Sequence, residues 1–186
     1  MTMQQSKNDV ELGRFISLVL RHNPLAAGIS LDPNGWANVE ELLAGANRSG
    51  KRIDRETLER IVRENNKRRY CFNEDHTKIR ANQGHSIEVD VELKLQIPPD
   101  TLYHGTATRF LDSIRQQGIT KQNRQHVHLS ADIETAVKVG SRHGKAVVLS
   151  IDAAAMAKDG STFYLSENSV WLCDAVPWEY IKNLDA

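Results

Sequence analysis

Two side chains able to carry positive charge stand side by side in Leu20-Arg21-His22-Asn23-Pro24. A helix has to stop there, because the residue before a proline avoids the helical region. A guanidinium offers a planar fork of donors that matches a phosphate, and an imidazole adds one more donor or a proton carrier. Two further arginines have suggestive settings. Arg69 lies in Lys67-Arg68-Arg69-Tyr70, and Arg142 lies between glycines in Gly140-Ser141-Arg142-His143-Gly144. Cations spread over two halves of a chain predict a cleft for an anion with several negative charges. Singly, each has a plainer reading. A cation at a helix end contributes only about 0.3–1 kcal/mol through the helix dipole, and Arg69 suits an exposed hairpin position.

Two other segments could hold a flat ligand. Tyr103-His104-Gly105-Thr106 reads as a strand ending in a small-residue turn, where backbone groups can approach a ligand closely. His128-Leu129-Ser130 is a similar segment one unit later. A strand-end turn with a satisfied histidine explains either one equally. His126 and His128 share a strand face, but no carboxylate or cysteine completes a ligand set, so no metal is expected.

The bulk properties narrow the classes. With 186 residues, 40% of them apolar, the chain can build one large domain or two small ones. Its 24 Lys/Arg balance 24 Asp/Glu, so no global field draws it to nucleic acid or membrane. The balance is uneven: residues 48–80 hold eleven Lys/Arg against six Asp/Glu, a local excess of five. That excess fits a solvated, salt-bridged helix face or a surface that follows a phosphate backbone. Cys71 and Cys173 lie far apart in apolar settings, so buried free thiols in a reducing compartment are expected. The apolar run Phe15–Leu20 is too short for a signal or membrane span. A cytoplasmic protein without membrane association, more readily monomeric than oligomeric, is expected.

The elements that must position these residues are legible in outline. Leu12, Phe15, Ile16, Val19 and Leu20 repeat with helical period, predicting a helix over 9–22. Asn38 with Glu41 forms a capping box for a second helix to about Ala46, and Asp54 caps a third. Arg69–Phe72 and Thr77–Arg80 predict a hairpin. Three helices and a hairpin make a winged-helix arrangement, by analogy of fold. Val89, Val91, Leu93, Leu95 and Ile97 alternate with polar residues like a half-buried strand before Pro98-Pro99 breaks the pattern. Beyond it, short strands alternate with helices: a helix capped by Thr108 and ending near Gly118, a strand at Val127–Leu129, a helix capped by Ser130 or Asp132, a strand at Ala146–Ile151 and a helix at Ala153–Lys158. Thr162–Leu165, Val170–Cys173 and Trp178–Ile181 complete the sheet. The fold class is α+β in two lobes, 1–97 and 98–186.

Taken in order, these motifs resemble the RNA 2′-phosphotransferase family. The likeness is carried by Phe15–Pro24, Gly35-Trp36, Arg69-Tyr70, Ile79–Ser86, Leu102–Thr106, His128–Ser130, Val139–Gly144 and Val170–Leu172, and it runs from about residue 10 to 181. The resemblance implies a winged-helix lobe that holds RNA and an ADP-ribosyltransferase-like β-sandwich lobe that holds NAD as co-substrate. It implies a catalytic tetrad of Arg21, His22, Arg69 and Arg142. It places His104, Gly105, Thr106, His128, Leu129 and Ser130 in the NAD pocket. Arg21, His22, Arg68, Arg69 and His85 would touch the RNA bearing the 2′-phosphate. Gln83-Gly84-His85-Ser86 would sit near cofactor or RNA.

The implied reaction has two steps. The RNA 2′-phosphate attacks the anomeric carbon of the nicotinamide ribose; the ribose 2″-hydroxyl then attacks phosphorus, freeing ADP-ribose 1″,2″-cyclic phosphate. An anionic nucleophile needs aiming rather than a base, and charge building on phosphate oxygens needs fixed cations. Glu167, near the place where many ADP-ribosyltransferases carry an essential glutamate, reads as a surface or ribose-contacting residue. His22 is left between phosphate donor and proton shuttle. The alternatives are an ADP-ribosyltransferase that caps terminal phosphates of RNA or DNA, and a winged-helix nucleic-acid binder whose second lobe senses a nucleotide.

Overall fold

In the computed structural model, which describes residues 7–185, the chain divides into two compact units between Glu92 and Leu93. The protein is of mixed α+β class.

The first unit opens with α1 (Lys7–Arg21), whose Leu12, Ile16, Val19 and Leu20 are buried along one stripe. Pro24 starts a short 3-10 turn, Pro24–Ala27, a place where its missing N–H costs nothing. β1 (Ala37–Asn38), α2 (Val39–Arg48), α3 (Arg55–Arg63), β2 (Tyr70–Phe72) and β3 (Lys78–Ala81) follow. The strands form an antiparallel sheet in the order β1-β3-β2. Both caps expected from sequence are made: Asn38 accepts from the Glu41 amide at 3.1 Å and Asp54 from the Thr57 amide at 2.8 Å, each worth about 1 kcal/mol. Leu42, Leu58, Ile61, Ile79 and the α1 stripe share one core.

The strand expected across Val89–Ile97 does not form. Only β4 (Lys94–Leu95) pairs. Asp90 instead donates its amide to the Pro33 carbonyl at 2.9 Å, and Val89 and Val91 close over Gly35 in the first unit. Leu95 and Ile97 stay 68% and 88% exposed. The alternation therefore belongs to two separate packings rather than to one strand.

The second unit adds β5 (Thr101–Ala107), α4 (Leu111–Gln117), β6 (Ile119–Thr120), β7 (Val127–Leu129), α5 (Ile133–Gly140), β8 (Ala146–Asp152), α6 (Ala153–Lys158), β9 (Tyr164–Leu165), β10 (Trp171–Cys173), β11 (Ala175–Val176) and β12 (Ile181–Asp185). Its strands order as β4-β9-β10-β7, β11-β6 and β12-β8-β5. Asp132 caps α5 by accepting from the Thr135 amide at 2.7 Å. Two local expectations fail. Thr108 opens a 3-10 turn without a side-chain cap, and Trp178–Tyr180 is likewise 3-10, with the strand starting only at Ile181. Among the described residues no helix is long and apolar enough to cross a membrane.

Gly105 is interior to β5 and not part of a turn. A β-carbon there would stand 1.7 Å from the Ala136 carbonyl oxygen of α5, and one at Gly140 would stand 2.5 Å from the Thr106 oxygen. The two elements touch backbone to backbone. Gly105→Ala is therefore expected to destabilise by at least about 3 kcal/mol. Gly13→Ala, inside α1 with its nearest neighbour 3.9 Å away, is expected to stabilise by about 0.5–1 kcal/mol. Urea-unfolding midpoints of the two variants check both signs.

Candidate functional site

In the first unit, the end of α1 is tied to a segment far along the chain. The Ser86 amide donates to the Arg21 carbonyl at 3.0 Å, and Ser86 Oγ lies 2.9 Å from His22 Nδ1. Gly84 adopts φ +87°, a conformation that favours glycine, and a β-carbon there would lie 3.6 Å from Arg21 Nη1. Tyr70, 4% exposed, donates to the Gly13 carbonyl at 2.6 Å and accepts from the Ser17 hydroxyl. Burial pushes its phenol pKa up, while the Ser17 bond and the charges of Arg21 and Arg69 act against that rise. Arg21 and Arg69 thus bear on one phenol, and His22 adjoins them.

Arg69 is held by its backbone. Its amide donates to Asn65 Oδ1 at 3.3 Å and its carbonyl accepts from the Asn82 amide at 2.9 Å. Arg68 takes φ +41° and is exposed, whereas Arg69 is half-buried and Tyr70 buried. Of the two arginines, Arg69 is therefore the one set among the groups around α1.

His85, expected to touch RNA, is enclosed at 1% exposure, and neither ring nitrogen makes a hydrogen bond. The chain turns at Gly84, so His85 enters the interior while Ser86 is exposed beside His22. Burial lowers the His85 pKa to about 4, helped by the charges of Arg21, His22 and Arg80. The guanidinium of Arg80 lies 4.4 Å over the Trp36 ring and 2.9 Å from Glu92.

In the second unit, the two segments singled out for a flat ligand lie together. Tyr103 and Ser130 exchange backbone bonds of 2.9 and 2.8 Å. His104 Nδ1 donates to the His128 carbonyl at 3.1 Å, which puts its proton on Nδ1 and leaves Nε2 as an acceptor. Burial lowers the His104 pKa, with that carbonyl acting in the other direction. Gly105, Thr106 and Leu129 are interior and build the scaffold; His104, His128 and Ser130 are half-buried. His126 meets Tyr164 edge-on at 5.6 Å. Glu167 is exposed in the turn between β9 and β10.

Arg142 is exposed in the loop after α5, where its amide bonds to the Val139 carbonyl at 3.3 Å. The sequence reading passed over a second cation here. Arg124 Nη1 lies 2.9 Å from His128 Nδ1, and because a guanidinium can only donate, that nitrogen is the acceptor. Arg124 retains open surface, yet protein packed around its head group pulls its pKa down, and the charge of Arg142 pulls it further. Arg124 and Arg142 make no ion pair with a carboxylate among the described residues. The signal in the sequence was a cation four residues before His128, within a turn that carries no motif.

His85 sets a pH dependence. Above pH 6.5 neither folded nor unfolded chain carries its proton. As pH falls toward about 4 the unfolded imidazole binds a proton that the folded one refuses. Stability is then lost through that window, by about 3 kcal/mol in total. The lowered carboxylates, such as Asp54 and Asp132, start from 3.8 and act below it. His104 and His126 share the window, so the comparison is between variants. His85→Leu is expected to show a markedly shallower loss between pH 7 and pH 5 in urea unfolding than the parent chain.

Residues 7–175 match the family described as RNA 2′-phosphotransferase, Tpt1 / KptA family. The chain is 62% identical over 176 residues to a protein of Fusobacterium nucleatum named probable RNA 2′-phosphotransferase, covering 94% of this chain and 98% of that one. Proteins of the same name from Flavobacterium johnsoniae and Hahella chejuensis are 53% and 55% identical, each over 92% of this chain and over 94% and 92% of their own lengths. The chain belongs to the RNA 2′-phosphotransferase family.

Proposed function

We propose that the protein removes an internal 2′-phosphate from RNA, of the kind left at a tRNA splice junction, by transferring it to NAD through a 2′-phospho-ADP-ribosylated RNA. Nicotinamide and ADP-ribose 1″,2″-cyclic phosphate leave. The observation that carries this reading is the gathering of Arg21, His22 and Arg69 around Tyr70 and the Gly84-His85-Ser86 turn. Arg69 makes no ion pair with a carboxylate among the described residues. Carboxylates beside a phosphate would repel it; cations held by backbone bonds can receive it without rearranging.

The chain's groups divide the work. Arg21 and Arg69 grip the phosphate oxygens and aim one of them, a task of orientation that can supply several kcal/mol. His22 presents its imidazole to the same phosphate as a donor. The three-helix unit with its small sheet is read as a winged-helix lobe that holds the RNA. The second unit is read as an ADP-ribosyltransferase-like lobe. Its residues fit a dinucleotide: a neutral His104 with an open acceptor nitrogen, a backbone ledge at Tyr103 and Ser130, and an Arg124 suited to a pyrophosphate or to the transferred phosphate. NAD would be held by His104, His128, Ser130 and Arg124, and it supplies the ribose carbon that accepts the phosphate. Arg142 adds charge beside Arg124.

Incubation with NAD and an oligonucleotide carrying one internal 2′-phosphate, followed by mass analysis of all products, tests the reading. Free 2′-hydroxyl RNA together with the cyclic phosphate is expected. ADP-ribose retained on the RNA would mean capping, and unconsumed NAD would mean a binder. Arg21→Ala, Arg69→Ala and Arg124→Ala are each expected to lower kcat/KM by about 10²–10³-fold. Arg142→Ala should cost less than Arg124→Ala, and Glu167→Ala least. A loss at Arg142 equal to or above that at Arg124 would give the fourth place to Arg142.

A further inference from the structure

We propose that Phe110, with Arg109, His143 and Lys145 around it, is a stacking platform for a base of the RNA strand flanking the 2′-phosphate. The proposal takes its RNA from the reading of this chain as an RNA 2′-phosphotransferase, and gives the second unit a hold on that strand. Phe110 is 40% exposed and stands outside the unit's core, against which the adjacent Leu111 packs. The Arg109 guanidinium lies 4.8 Å from the Phe110 ring centroid, and the His143 ring meets it near-perpendicular at 6.4 Å. The two loops that carry these rings are fastened where the Thr108 amide donates to the Lys145 carbonyl at 3.0 Å. A ring whose plane is set in advance loses little freedom when a base stacks on it.

Charge selects the occupant. Residues 93–186 balance ten Lys/Arg with ten Asp/Glu. The loops 107–110 and 141–146, however, hold Arg109, Arg142 and Lys145 and no acid. Arg109 and Lys145 are exposed and make no ion pair among the described residues. Asp112, the acid nearest to Phe110 along the chain, is taken up by Arg115 at 3.3 Å. An exposed aromatic ring rimmed by cations fits single-stranded nucleic acid, whose bases stack while its phosphates meet the charges. The base of a dinucleotide is housed instead in a concave, mostly apolar pocket. The pyrophosphate of NAD has Arg124 and Arg142, which leaves Arg109 and Lys145 for further phosphates. Nor is the platform remote from the chemistry, since the charge of His143 adds to burial in lowering the His104 pKa.

Fluorescence anisotropy of an end-labelled, single-stranded RNA dodecamer with one internal 2′-phosphate, without NAD, measures the Kd. Phe110→Ala and Phe110→Leu are each expected to weaken binding about 5–100-fold, the scale of one lost base stack, and Phe110→Trp to restore it. Arg109→Ala and Lys145→Ala should each lower the slope of log affinity against log salt by about 0.7. Calorimetry with NAD alone should give Phe110→Ala the affinity of the parent chain. Unchanged RNA affinity in Phe110→Ala and Phe110→Leu would overturn the platform. A loss confined to NAD would also overturn it, by handing the ring to the dinucleotide. Thermal unfolding of each variant separates a lost fold from a lost stack. The anisotropy assay holds no NAD, so a chain that fails to dephosphorylate RNA would remove the proposed reaction and leave this result standing.

Discussion

The last carbonyls of a helix need donors from outside it, and for α1 one of them comes from the other end of the unit. The Ser86 amide meets the Arg21 carbonyl. That bond ties the end of the helix to the segment 82–86, and through Asn82 to the backbone of Arg69. The positions of Arg21, His22 and Arg69 are consequences of one closure.

Holding cations together costs Coulomb energy, and the first unit limits that cost by choosing its neighbours. Tyr70 keeps its proton, with its oxygen in a hydroxyl-and-carbonyl network. His85 stays neutral, so the interior beside Arg21 and Arg80 gains no third charge. Glu92 takes up the charge of Arg80 rather than that of the groups near α1. Neutral polar groups close to the cations and a carboxylate set further off leave the field available to a ligand. The second unit follows similar lines, with Arg124 resting on a neutral nitrogen of His128 rather than on an acid.

The features readable from sequence were those encoded locally. The α1 stripe, the caps at Asn38, Asp54 and Asp132, and the Tyr70–Ala81 hairpin each need only a few neighbouring residues to be recognised. Failures came where distant partners decide. The alternation at 88–97 looked like one strand, yet Val89 and Val91 serve a different unit from Leu95. Gly105 looked like an opening for a ligand and is an opening for α5. His85 and Ser86 are adjacent letters with opposite fates, set by the turn at Gly84. Arg124 was overlooked because its significance depends on His128 and Arg142, and nothing in its own turn marks it.

The crossing of α5 over β5 has a mechanical consequence. Side chains between packed elements usually act as a soft layer that absorbs small displacements by changing rotamer. At Gly105 and Gly140 there is no such layer, and main chain rests on main chain. A push on the loop that carries Arg142 is therefore transmitted undamped to the strand that carries His104. Within this unit the start of the Arg142 loop and the middle of β5 are the places with the least room to shift independently.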